Sequence, residues 1–416
     1  MRSIMVTLLF GVIWLVTVAA LVALSPDIAR LLGRNPGTPS SATQDTLPPL
    51  PDRFFPTARM EFTNLFGGIK SLTDLQSRQG GLASVERTLD ESYLAVTRFR
   101  VTVPRASTTL ADLETLAPEL ATDWPGLETS LPSATISPFF HSLYERKLTF
   151  IEQRLTRFRH YPSRHNFFDC QTILELTHPG SNLPLLLVQA DMDVVTDGSD
   201  GDRVTVAEDI DSTSRYFQPF TAYNWAKTTN QPNPLLERYQ SQLDEVLAEL
   251  ETSTGTEQEK MPLYEQRNRL RKIVEAMKYR SSLVAHLDPF IVLPGFIFKQ
   301  DTRHTPKLGD YCIVFYKGKA YPAIVGDVGP NSKIGEASLL LARTLNPEAT
   351  GFSRPVSQPA VTYLIFPGSR EDRMQQPDLS HWQQRCRELI DKAGGLAIPL
   401  HDWTAPVKTP ADASGG

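Results

Sequence analysis

Asp327 and Glu336 stand nine positions apart in the stretch GDVGPNSKIGEAS, residues 326–338. Two carboxyl groups at one site can do acid–base chemistry, one protonating a leaving oxygen while the other activates a water. The apolar run KAYPAIV leads into Asp327, and IGEASLLLARTL follows the polar turn. Gly326, Gly329 and Gly335 permit the tight backbone path that would bring both side chains to one place. On spacing alone a plainer reading stands beside this one. An Asp before Val-Gly-Pro can fix a turn, and a Glu in a first helical turn needs no chemistry. If Glu336 opens a helix, the helix N-terminus favours its ionised form, which suits a base and leaves Asp327 as the acid. Burial could reverse that order.

A second acidic run, DMDVVTDGSDGD, holds Asp191, Asp193, Asp197, Asp200 and Asp202. Acids lining a groove would attract a cationic ligand; a calcium loop and a solvated turn are the rival readings. Against calcium, Val195 occupies the third ligand position of the EF-hand pattern and no glutamate closes the loop. Asp191, Asp193 and Asp197 are the substrate-contact candidates, the first two because they directly follow the apolar run LPLLLVQA. The histidines, His160, His165, His304 and His381 among them, form no ligand pattern. The three cysteines, Cys170, Cys312 and Cys386, have no zinc or disulfide spacing. No metal and no redox cofactor is expected, and no serine-hydrolase elbow, P-loop or dinucleotide fingerprint is present.

Short strands and a few helices must position these groups. Strands are predicted over 93–103, 170–176, 183–190, 289–294, 310–316, 319–325 and 361–367. Helices are predicted from Thr109, over 140–159, over 334–345 with Glu336 in the first turn, and over 381–393. Residues 234–251 and 262–279 carry amphipathic stripes separated by Ser253-Thr254-Gly255-Thr256, the pattern of a helical hairpin inserted among the strands. Pro262 suits the first turn of the second helix.

The run KLGDYCIVFYKGKAYPAIVGDVGPNSKIGEASLLLARTL resembles the core of the chitosanases of glycoside hydrolase family 75, and LLLVQADMDVVTDGSDGD resembles the segment before it. The resemblance covers roughly residues 167–395. It implies an endo-acting glycosidase that cleaves β-1,4-linked chitosan, or a related glucosamine polymer, with inversion, and Asp327 and Glu336 as its catalytic pair. A strand, a GDVGP-type turn and a helix are also similar to the arrangement in double-psi β-barrels. The expected fold is therefore α+β, a six-stranded double-psi-like barrel with flanking helices, the inserted hairpin and an N-terminal transmembrane helix. Two other functions stay open: a peptidoglycan lytic enzyme on a similar barrel, and a non-catalytic protein that binds cell-wall polysaccharide.

The whole chain sets the context. Ile4 to Leu24 carries no charge and is long enough for a membrane-spanning helix, with Arg2 before it. Residues 1–24 read as a membrane anchor or a signal segment, placing the rest outside the cytoplasm, membrane-tethered or secreted. Residues 25–52 read as a Pro/Ser/Thr-rich tether and 53–165 as an α+β module without a catalytic constellation. Residues 166–400 read as the hydrolase-like domain with its insertion at 232–280, and 401–416 as a disordered tail. With 42 basic and 47 acidic residues the net charge is −5, which argues against nucleic-acid binding and is compatible with a polycationic substrate.

Overall fold

The structure, a computed structural model, describes residues 58–66, 69–75, 100–155 and 163–404. Two compact units divide the chain: Met1–Arg59 with Asp74–Ser84, and Met60–Thr73 with Val85–Gly416. The apolar run at 4–24 and the tether at 25–52 lie outside the described residues. Among the described residues no helix is long and apolar enough to cross a membrane.

In chain order, β1 (Ala58–Phe66) and β2 (Ile69–Leu75) come first, then short helices at Leu110–Glu114, capped by Thr109 as expected, Leu120–Asp123 and Gly126–Ser130, then β3 (Thr135–Ile136) and helix α1 (Pro138–Leu155). Next come β4 (Cys170–His178), β5 (Leu183–Val195) and β6 (Asn224–Ala226), followed by α2 (Leu236–Thr252) and α3 (Glu257–Tyr279). The chain goes on through β7 (Arg280–Ser282), β8 (Phe290–Pro294), β9 (Tyr311–Phe315), β10 (Ala320–Gly329) and β11 (Glu336–Ser338). It ends with α4 (Leu339–Leu345), β12 (Val356–Ile365) and α5 (Leu379–Lys392).

The ladder runs β11, β8, β10, β9, β12, β5, and β5 pairs again with β11, so these six strands close into a barrel; β4 and β3 extend it beyond β5. The β8–β10 and β5–β11 pairs are parallel, and the other pairs of the ring are antiparallel. Alternation along the strands sorts the apolar side chains into two layers. Ala190, Ile291, Val314, Val325, Ala337 and Tyr363, one from each strand of the ring, belong to one cluster, which fills the barrel. The opposite faces, with Leu187, Phe290, Ile313 and Ile324, pack outward with Trp382, Cys386 and Ile390 of α5.

The inserted hairpin forms as expected, with a small core of its own around Tyr239, Leu243, Leu270 and Val274. It leaves and rejoins the domain on paired strands, Ala226 of β6 opposite Arg280 of β7. Thr256 and Glu259 make a capping box that starts α3 at Glu257, so Pro262 lies inside the helix rather than in its first turn.

Three other expectations change. Arg100–Val103 is not a strand: neighbouring residues of this segment are held by side chains, Gln171 donating to the Arg105 carbonyl and Thr172 to that of Ser107. Residues 93–99 of that predicted strand lie outside the described residues. Helix α4 starts at Leu339, because the Ser338 hydroxyl caps it by accepting the Leu341 N–H; Glu336 therefore lies in a strand. The start of the tail is docked at Trp403, whose indole N–H donates to the Pro322 carbonyl at 2.8 Å; residues 405–416 of it lie outside the described residues.

Candidate active site

Four adjacent strands set a row of side chains across the barrel wall. Glu336 on β11 stands opposite Asp193 on β5 and, on its other flank, opposite Val292 on β8. Val292 in turn stands opposite Asp327 on β10. Directly opposed residues share a face of a sheet, and Val292 belongs to the outward layer, so the acids face outward too. At about 4.8 Å per strand, the Glu336 and Asp327 backbones lie roughly 10 Å apart along the sheet, with one valine between them.

Local sequence creates these positions. A bulge interrupts β10 between Val325 and Asp327, and the Gly326 carbonyl there accepts the Tyr223 N–H at 2.9 Å. The next residue, Asp327, accepts the N–H groups of Ala222 at 2.7 Å and Val328 at 2.8 Å, both on Oδ1. Burial pushes its pKa up to about 6 against those two bonds, and the Glu336 charge adds to the rise. Gly335, at φ +90°, bends the chain into β11, and a Cβ there would come within 2.5 Å of the Asp191 carbonyl oxygen. At Gly329 a Cβ would come within 2.7 Å of Glu336 Oε2, so the missing side chain leaves room for the carboxylate.

Charged groups tie the row together. Lys333 Nζ is 3.1 Å from Glu336 Oε1 and 3.1 Å from Asp193 Oδ2. Arg354 Nε lies 3.3 Å from Asp193 Oδ1, and His165 Nε2 lies 3.5 Å from the same oxygen. Burial opposes ionisation of Asp193, but His165 and Lys333 outweigh it and bring the pKa down to about 2. Asp197 accepts the Gln218 N–H at 2.7 Å. Burial and, after it, the charges of Asp327 and Glu336 raise its pKa to about 7 against that bond, so the three carboxylates share one field.

Of the acids singled out in the sequence, Asp193, Asp197, Asp327 and Glu336 come together. Asp191 is 1 % exposed and reaches no surface. It lies behind Asp193 in contact with His165, and burial raises its pKa to about 7. Asp191 and Asp193 lie within β5 rather than beyond it, since the strand runs on to Val195. Asp200 turns to Arg203, and Asp202 accepts the backbone N–H groups of Thr228 and Thr229.

Three positions at the candidate site escape sequence reasoning. Lys333, three residues before Glu336, carried a usable signal, a cation inside the motif. His165 read as unorganised, yet it faces Asp191 and Asp193; burial alone would lower its pKa, and the two carboxylates raise it to about 9. Lys147 on α1 is 2 % exposed and donates to the carbonyls of Asn166 at 2.6 Å and Ser332 at 2.7 Å and to Asp169 at 2.8 Å. It thereby pins the loop before Glu336. Nothing in the spacing signals either of these contacts, because both depend on how the barrel closes.

Residues 192–393 match the family model described as fungal chitosanase of glycosyl hydrolase group 75. This segment is a group 75 glycoside hydrolase domain. No curated protein matches the chain. The group 75 domain holds Asp193, Asp197, Asp327, Lys333 and Glu336, and it spans the inserted hairpin. Lys147, His165 and Asp191 precede it and supply contacts to it from outside the matched segment.

Proposed function

We propose that the chain is an endo-acting chitosanase that inverts the anomeric carbon, with Asp327 as general acid and Glu336 as general base. The observation that carries this reading is the row Glu336–Val292–Asp327. Two carboxyls separated by one intervening strand leave space for a water beside the sugar, as inversion requires (about 6.5–9.5 Å). The raised pKa of Asp327 supports the acid role, and its doubly bonded Oδ1 leaves Oδ2 to carry the proton. This assignment rests on burial, since Glu336 does not open a helix.

In the step, Asp327 Oδ2–H gives its proton to the glycosidic oxygen as the bond from C1 breaks. Glu336 takes a proton from the water that attacks C1 from the opposite face. The products are a new reducing end of inverted configuration and the free 4-hydroxyl of the departing unit; solvent then restores both carboxyls. Asp193 and Asp197 lie beside the pair as substrate-contact groups, Asp193 charged throughout the working range and Asp197, with its pKa near 7, protonated and able only to hydrogen-bond in mild acid, while Asp191 acts from behind by holding His165 against Asp193. The barrel is read as double-psi-like on its two parallel pairs, β8–β10 and β5–β11. The uncharged run at 4–24 supports an extracytoplasmic location, anchored or secreted.

Time-resolved proton NMR of chitosan digestion tests the reading. The α-anomer of the new reducing ends is expected first, with β appearing later by mutarotation. Initial β-anomer would contradict inversion, anhydro-sugar products from peptidoglycan would indicate a lytic enzyme, and binding without products would indicate a non-catalytic protein.

A further inference from the structure

His165 Nε2 faces two carboxylates at once, in contact with Asp191 Oδ2 and 3.5 Å from Asp193 Oδ1. One N–H can align with only one acceptor. Yet neither Nε2 nor either Asp191 oxygen has an aligned hydrogen bond, and all three atoms are shut off from solvent. The Asp191 side chain is 1 % exposed. His165 is the charge partner of Asp191 through Oδ2, and Oδ1 beside it has no partner, a costly state for a buried carboxylate oxygen. The three donors, one from each of His165, Asp191 and Asp193, lie within 4.8 Å of one another. An ion bound at about 2.1 Å from each needs donor separations of roughly 3–4 Å, a small adjustment.

We infer that His165 Nε2, Asp191 Oδ2 and Asp193 Oδ1 form a binding site for a divalent transition-metal ion of the zinc class. One imidazole with two carboxylates is a borderline ligand set that favours Zn2+ over Ca2+, and the two carboxylates balance the charge of the ion. The neighbouring groups permit it. Lys333 holds Asp193 by Oδ2, leaving Oδ1 for the ion and fixing the carboxylate from outside as a supporting hydrogen bond does. Arg354, 41 % exposed and 3.3 Å from Oδ1, is the group that must swing out to solvent. Lys147 stays engaged with Asp169. The site would clamp the short helix Arg164–Phe167, which precedes the group 75 domain, to β5 beside Glu336. It does not depend on the polysaccharide reading.

The test uses the full chain stripped with a chelator, titrated with Zn2+ and with Ca2+ by calorimetry and followed by thermal unfolding. One Zn2+ per chain is expected, with a rise in melting temperature and at least tenfold weaker binding of Ca2+. His165→Gln and Asp191→Asn should each weaken Zn2+ binding by thirtyfold or more. Absence of Zn2+ binding, or binding unchanged in both variants, would overturn the inference. Should either variant fail to fold, pulsed EPR of the wild-type chain loaded with Cu2+ decides. Coupling to one imidazole nitrogen supports the site, and its absence overturns it.

Discussion

At the residue scale, the behaviour of Asp327 follows from one buried carboxyl held between two backbone N–H groups and a neighbouring negative charge. Its folded pKa of about 6 and that of Asp197 near 7 lie above the ordinary carboxyl value of 3.8. A raised acid binds more protons in the folded state than in the unfolded one, so stability rises as pH falls from about 7 toward 4. The same shift keeps the acid protonated in mild acid. We expect kcat/KM on soluble chitosan oligomers to fall tenfold per pH unit above about pH 6, and urea midpoints to be higher at pH 5 than at pH 7.5. A flat rate profile between pH 5 and 8 would remove Asp327 as the acid. Asp193 runs the other way. Its contribution is present above pH 3.8 and lost as pH falls through about 2, so the mildly acidic stability maximum should end in the strongly acidic range.

At the element scale, α1 matters because Lys147 places a buried ammonium among Asp169, Asn166 and Ser332. Burial pushes Asp169 up to about 8 and the ammonium counters it. Lys147→Met should cost about 3–5 kcal/mol, measured by urea unfolding, and loosen the loop before Glu336; Lys147→Met with Asp169→Leu should recover a large part. A cost under about 1 kcal/mol for the single variant would show that the buried pair is not what holds the loop. This contact also marks the limit of what the sequence discloses. The inserted hairpin, β9 and β10 were legible because their period and turn residues are local. The helical composition of IGEASLLLARTL points to a helix at Glu336, whereas Gly335 and the open edges of β5 and β8 draw its first residues into the barrel. The acid pair was legible as two residues and a spacing. Lys147 and His165 were not, since their partners lie on other elements.

At the scale of the whole molecule, a net charge of −5 and an outward-facing row of acids suit a polycationic chain. The attraction acts over about 8–10 Å at moderate ionic strength and is screened beyond that. KM for chitosan should therefore rise roughly three- to tenfold between about 20 and 500 mM NaCl while kcat changes less than about twofold. An unchanged KM would mean that the acids do not recruit substrate. The central claim, that Asp327 and Glu336 act together across β8, has a more direct test in the initial rate of reducing-end release from chitosan by the wild-type chain, Asp327→Asn and Glu336→Gln. Both variants should lose roughly a hundredfold to ten-thousandfold in kcat while keeping wild-type melting curves. Product release by either folded variant at the wild-type rate would contradict the account.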